Sequence, residues 1–122
     1  MVIGPDKVNQ ARHMMFFENF KGLLSHMQKH AEILKPKFEI VEKWLSKQSF
    51  GTWTHPTGGY FVSFNSKPGL AKEIVKLSNS SGLKLSPAGS TFPYGVDPND
   101  ENIRLAPTAC SNEELESAME LF

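Results

Sequence analysis

The residue with the clearest chemical potential in this chain is Arg104, the one charge in the run Ile103-Arg104-Leu105-Ala106. The two-residue alternation of an extended strand sends Ile103 and Leu105 to one face and the guanidinium to the other. A planar fork held on a strand suits bidentate recognition of a carboxylate or phosphate. The same pattern fits a surface ion pair on a sheet, and residue physics alone leaves both readings open. Other reactive residue types are less organised. His26 and His30 stand four apart, a helical spacing that can hold zinc. No third ligand accompanies them and Glu32 does not share their face, so they read as two solvated helix histidines. Cys110 precedes a helix start, where the dipole can lower a thiol pKa, but no catalytic partner is in view and it reads as a packed thiol. Asp97, Asp100 and Glu101 lack the spacing of a cation-binding loop and read as solubilising charges. Lys35, Lys37, Lys43 and Lys47 alternate with Glu32, Glu39 and Glu42, the pattern of a solvated helix face.

The elements that must position Arg104 follow from periodicity. Asp6 is a possible helix N-cap after the Gly4-Pro5 turn, followed by a weak helical pattern from Val8 to Phe17. Phe20, Leu24, Met27, Ala31, Leu34, Phe38, Val41 and Leu45 then recur at intervals of four and three, one apolar stripe on a long helix. Pro36 lies off the stripe and predicts a kink rather than a break, because the register survives it. Gly51 to Thr54 and Tyr60 to Phe64 are β-rich, separated by the turn cluster His55-Pro56-Thr57-Gly58-Gly59. A helix is expected from Pro68 to about Ser80, stopped by Gly82. Leu83-Lys84-Leu85 is expected as a strand, residues 86–102 mostly as loop, and Ile103 to Ala106 as another strand. Ser111-Asn112-Glu113-Glu114 is a capping box that opens a helix reaching Phe122. That helix is still apolar where the sequence stops, which suggests a truncated element. The order predicts an α+β fold: a two-layer sandwich of a small, mostly antiparallel sheet covered by helices, with a long kinked helix near the N-terminus.

Composition bounds the function classes. The chain has 122 residues, enough for one domain, which buries roughly two-thirds of its unfolded surface. Thirteen basic residues balance thirteen acidic ones, so no whole-chain field attracts nucleic acid or an anionic membrane. The single cysteine excludes an internal disulfide and fits a reducing cytoplasm. No apolar run approaches a membrane span, and no signal-peptide core is present at the start. A cytoplasmic domain with neither nucleic-acid nor membrane partners is expected.

Three segments together resemble a known family. They are Pro56-Thr57-Gly58-Gly59-Tyr60-Phe61, Gly82-Leu83-Lys84-Leu85-Ser86-Pro87-Ala88-Gly89-Ser90-Thr91-Phe92, and Asn102-Ile103-Arg104-Leu105-Ala106-Pro107. Their spacing is similar to that of the C-terminal small domain of fold-type I aminotransferases, which depend on pyridoxal 5'-phosphate. Ala88, inserted between the proline and glycine, the run Phe92-Pro93-Tyr94-Gly95, and Gly4 to Gln10 resemble the MocR-like type Ic aspartate aminotransferases of bacteria. The resemblance implies a connecting segment at residues 1–19 and the small domain at 20–122. It implies that Arg104 binds the substrate α-carboxylate, orienting the Cα–H bond over the cofactor. It further implies an amino-acid/2-oxo-acid pair, aspartate with 2-oxoglutarate, as substrates, a large cofactor-binding domain as partner, and a homodimeric parent. In that family a lysine forms the Schiff base, an aspartate pairs with the pyridinium nitrogen, and Ser/Arg groups hold the phosphate. All lie amino-terminal to this region. Ser46-Lys47 and Ser66-Lys67 are the Ser-Lys pairs here, and neither has the family's context. The expectation is a fragment with one substrate-binding residue, no catalytic residue, no metal ligand and no bound cofactor, inactive alone. Two other classes stay open: a free-standing module that senses an amino acid through Arg104, and an interaction domain that docks through the unmatched part of the apolar stripe.

Overall fold

The computed structural model describes residues 4–122. Helices α1 (Lys7–Phe17) and α2 (Phe20–Leu45) precede strands β1 (Gly51–Trp53) and β2 (Val62–Ser66). Helix α3 (Ala71–Ser80), a short 3-10 turn at Pro93–Gly95, strand β3 (Asn102–Leu105) and helix α4 (Asn112–Leu121) complete the order. The chain divides into two compact units, one ending at Lys35 and one running from Pro36 to Phe122. Helix α2 continues through Pro36 as one element, as the unbroken stripe predicts.

In the first unit the Asp6 carboxylate caps α1 by accepting the Val8 and Asn9 N–H groups. Helix α1 ends at Glu18 in the left-handed region (φ 59°), and Asn19 opens α2 by accepting the Gly22 N–H at 3.0 Å. The unit buries little. Met14, Met15 and Phe16 are exposed, and so are Phe20, Leu24 and Met27, the first residues of the stripe.

The second unit holds the core. Val41 and Leu45, at the end of the stripe, are buried with Val62 and Phe64 of β2, Ile103 and Leu105 of β3, Ala71 and Val75 of α3, and Leu115 and Met119 of α4. Burying each large apolar side chain contributes about 1.5–3 kcal/mol. The sheet has the order β1-β2-β3 and is antiparallel throughout, with Val62 opposite Leu105, Ser63 opposite Arg104, Phe64 opposite Ile103 and Asn65 opposite Asn102. All the inward-facing strand residues share one face, which the helices cover. This is the expected α+β arrangement.

Several boundaries differ from expectation. Leu83-Lys84-Leu85 forms no strand. The Leu83 N–H instead donates to the Ser78 carbonyl (2.9 Å), closing the end of α3 with Gly82 in the left-handed conformation (φ 92°) that glycine tolerates best. That closure takes the amide a ladder would need, while Leu85 still packs against the core. Helix α3 starts at Ala71 rather than Pro68, because residues 67–70 form a turn in which the Gly69 N–H donates to Asn99 O. Strand β2 begins at Val62 rather than Tyr60, after the Gly58-Gly59 bend. At α4 the capping box forms as read: Ser111 Oγ accepts the Glu114 N–H and Glu114 accepts the Ser111 N–H.

Candidate functional site

The site forms on the sheet face that the helices leave uncovered. Alternation places Ser63 and Asn65 of β2 and Asn102 and Arg104 of β3 on this face. Arg104 is half-buried. Its guanidinium carbon lies 4.6 Å from the centre of the Phe61 ring, a cation–π contact that holds the planar group over an aromatic plate. Its Nε is buried and finds no acceptor among the described residues. A buried donor without a partner carries a desolvation penalty of about 1–3 kcal/mol. Any acceptor brought to Nε would remove that penalty.

Asn102 organises the polar groups beside it and is itself 9% exposed. Its Nδ2 donates to Ser63 Oγ (2.8 Å) and to Asn65 Oδ1 (2.6 Å), and its Oδ1 accepts the Thr91 hydroxyl (2.7 Å). Thr91 belongs to the loop between α3 and β3, which bonds to itself through Ser90 N to Pro87 O, Phe92 N to Gly89 O and Gly95 N to Phe92 O. Gly89 sits at φ 82°, and a Cβ there would meet Gly95 O at 2.3 Å, so the loop closes only with glycine at that position. Asp97 secures the other end of the loop. Its carboxylate accepts the N–H groups of Asn102 (2.8 Å), Glu101 (2.9 Å) and Asn99 (3.0 Å). The amide of Asn102, before the others, holds that carboxyl below the ordinary aspartate value.

Asp97, Asp100 and Glu101 therefore do more than keep the loop soluble. Asp100 accepts the Ala71 N–H through its carbonyl and the Lys72 N–H through its side chain, at the start of α3. The face read as solvated on α2 is also largely engaged. Lys37 Nζ donates to the carbonyls of Thr108 and Cys110, Lys43 pairs with Glu116 at 3.1 Å, and Glu42 accepts the Trp53 indole at 2.8 Å. The Trp44 indole donates to Glu116, and this bond first, Lys43 second, keeps that carboxyl below its usual range. His30 is exposed, but His26 is half-buried against Phe16 and Phe17, with ring centres 5.4 and 5.3 Å away. Helical periodicity does not anticipate that contact, because α1 supplies both phenyl rings. Cys110 packs at the edge of the core. No group of three or more His, Cys, Asp or Glu side chains among the described residues is arranged to hold a metal.

A hollow of about 130 Å³ lies on the core side, lined by Val41, Leu85, Leu115 and Met119, with the strand from Arg104 to Pro107 as one wall. Its lining is mainly apolar, with Lys84, Ser86 and Arg104 as its polar members. Of the two Ser-Lys pairs in the sequence, Lys47 lies over the Trp44 ring, 4.2 Å from its centre, and Lys67 is exposed in the turn after β2. Sequence reading singled out Arg104 and missed Phe61, Ser63, Asn102 and Thr91. Asn102 was within reach, being two residues before Arg104 and so on its face. Thr91, in an irregular loop, gave no periodic signal.

Known proteins resemble this chain over nearly all of its length. The family model described as aspartate amino-transferase matches residues 1–122. An aspartate aminotransferase from Corynebacterium glutamicum is 43% identical over 97% of this chain and 28% of its own length. A structure from Corynebacterium diphtheriae, of a protein assigned as an aminotransferase, is 48% identical and superposes with a TM-score of 0.93 over 98% of this chain and 31% of that one. The kynurenine aminotransferase of Pyrococcus horikoshii, 19% identical with a TM-score of 0.71 over 81% of this chain and 25% of that one, shares the fold. The chain thus spans about a third or less of the length of these relatives. By sequence and by fold, the chain belongs to the aspartate aminotransferase family.

Proposed function

We propose that this chain is the small domain of a larger pyridoxal-phosphate-dependent aminotransferase, with residues 1–19 as the connecting segment and 20–122 as the domain. In this reading Arg104 binds the α-carboxylate of an amino acid or 2-oxo acid, aspartate being the amino acid in the C. glutamicum relative's name and 2-oxoglutarate the partner acid that the family resemblance implies. The observation that carries it is the buried Arg104 Nε without an acceptor, on a sheet face the helices leave open. The guanidinium N–H groups donate to both oxygens of a carboxylate, and the Phe61 ring fixes the plane of the fork. The bound acid is then held in one orientation, which is the contribution this segment makes to proton transfer at Cα. The lysine, the aspartate and the phosphate-binding groups of the cofactor site belong to the amino-terminal part of the parent. The exposed residues Phe20, Leu24 and Met27 are the surface we assign to contact with that part. A homodimeric, cytoplasmic parent completes the reading.

The chain contains two arginines, Arg12 and Arg104, so each Nε–H is followed separately by nitrogen-15 NMR. Addition of sodium acetate, against sodium chloride at matched ionic strength, is expected to shift the Arg104 signal and leave Arg12 in place. Equal movement of both, or of neither, overturns the carboxylate reading. The chain alone is expected neither to transaminate nor to bind pyridoxal phosphate. A visible absorption band of bound cofactor on the purified chain overturns that part.

A further inference from the structure

We infer that Asn102 is a positioning residue that keeps the Arg104 Nε–H unpaired, by engaging and orienting the side-chain acceptors on the guanidinium's own face. The inference rests on the carboxylate reading for its purpose but not for its geometry. Three side-chain oxygens share the face of Arg104 on its own strand and the neighbouring one. Ser63 Oγ belongs to its direct cross-strand partner, Asn65 Oδ1 lies one step along β2, and Asn102 Oδ1 lies one step back along β3. Any of them is chemically able to accept an arginine N–H. Each is already engaged within one closed set: Asn102 Nδ2 donates to Ser63 Oγ and to Asn65 Oδ1, and Thr91 donates to Asn102 Oδ1. The next hydroxyl beyond Ser63, that of Thr54, accepts the Ser63 N–H at 3.1 Å. One carboxamide with two donors and one acceptor, locked by the Thr91 hydroxyl, thereby fixes the direction in which all three oxygens present their remaining lone pairs. In that arrangement none of them meets the buried Arg104 Nε–H, which is left without a partner.

The arrangement has a cost and a use. Leaving a buried donor unmatched is unfavourable in the ligand-free chain. A carboxylate arriving at Arg104 Nε then displaces no internal hydrogen bond, so none of the charge-assisted interaction is offset by breaking one. An arginine already bonded to Ser63 would have to break that contact first. The network also couples the arginine to the loop from Pro87 to Val96, because Thr91 supplies the lock.

The test needs no ligand for its first readout. In Asn102→Ala the Ser63 and Asn65 oxygens are released, and the Arg104 Nε–H proton is expected to move downfield as it acquires an internal acceptor. In the Ser63→Ala/Asn102→Ala double variant that acceptor is gone, and the signal is expected to return toward its original position. Acetate affinity at Arg104 is expected to fall about threefold to tenfold in Asn102→Ala, the range set by one competing hydrogen bond, and to recover in the double variant. A merely structural role for Asn102 predicts the opposite ordering, with the double variant worse than the single. That outcome, or an unmoved Arg104 proton in Asn102→Ala, overturns the inference. Should Asn102→Ala not fold, Thr91→Val releases Asn102 Oδ1 alone and is expected to shift the same proton, whereas Thr91→Ser leaves it in place. An unmoved proton in Thr91→Val then overturns the inference. Failure of acetate to shift Arg104 in the unmodified chain counts against the carboxylate reading alone, since the ligand-free proton shifts are read separately.

Discussion

The two faces of the three-stranded sheet follow different rules, although alternating residues of the same strands build both. On the covered face Val62, Phe64, Ile103 and Leu105 are closed in by Val41, Leu45, Val75, Leu115 and Met119, all within one unit of the chain. On the other face the polar groups satisfy one another through Asn102 and stop short of Arg104. The first face is complete, and its residues are explained by burial alone. The second is incomplete at one buried donor, and burial alone gives no reason for it. Chemistry belongs where the local accounting fails to close, and here it fails at the guanidinium.

The contrast breaks if a core substitution behaves like one on the polar face. Phe64→Ala removes a fully buried ring that packs edge-on against Phe50 and Phe122, with centres 5.5 and 5.3 Å away. The loss expected is about 3–5 kcal/mol, read as the unfolding free energy in urea. A loss under about 1 kcal/mol would mean that the helices do not close over the sheet as described. Arg104→Met tests the other face. Methionine keeps the apolar length over Phe61 while removing the unmatched Nε–H, so the cation–π contact is lost and the desolvation penalty goes with it. These effects are of similar size and opposite sign. Stability is expected to stay within about 1 kcal/mol of the unmodified chain, while the acetate response disappears. A loss as large as that of Phe64→Ala would mark Arg104 as a structural residue.

How much of this was legible in the sequence depends on the kind of interaction. Elements with a period came through: the stripe ending in Val41 and Leu45, the capping box at Ser111, the Gly82 stop and the outward placement of Arg104 all follow from spacing. The strand expected at residues 83–85 failed because local apolar alternation says nothing about where an amide will find its carbonyl, and Leu83 found Ser78. The engagement of Lys37, Glu42 and Lys43 was equally hidden. Their partners at Thr108, Trp53 and Glu116 come from other elements, and a helix-face pattern does not encode what approaches that face. The candidate site divides in the same way. Arg104 and its family context were readable, but the engagement of its neighbours by Asn102 and Thr91 depends on strand register and on the course of an irregular loop.

The smallest expected effect concerns that loop and is one of pH. The Asp97 carboxylate takes three backbone N–H groups, that of Asn102 foremost, and its pKa in the folded chain lies below that of an unfolded aspartate. The folded state therefore favours the ionised form. Its stabilisation is complete at pH values above the unfolded pKa and fades as pH falls through the folded one. Asp97→Asn keeps one acceptor but carries no charge, so its contribution does not titrate. The stability curves of the two proteins, measured in urea from about pH 7 to about pH 2, are expected to differ most at neutral pH and to converge in acid. The difference is small because the group is only half-buried and water screens it. Parallel curves would mean that Asp97 does not hold the Asn102 amide. The start of β3, and with it the network beside Arg104, would then need another anchor.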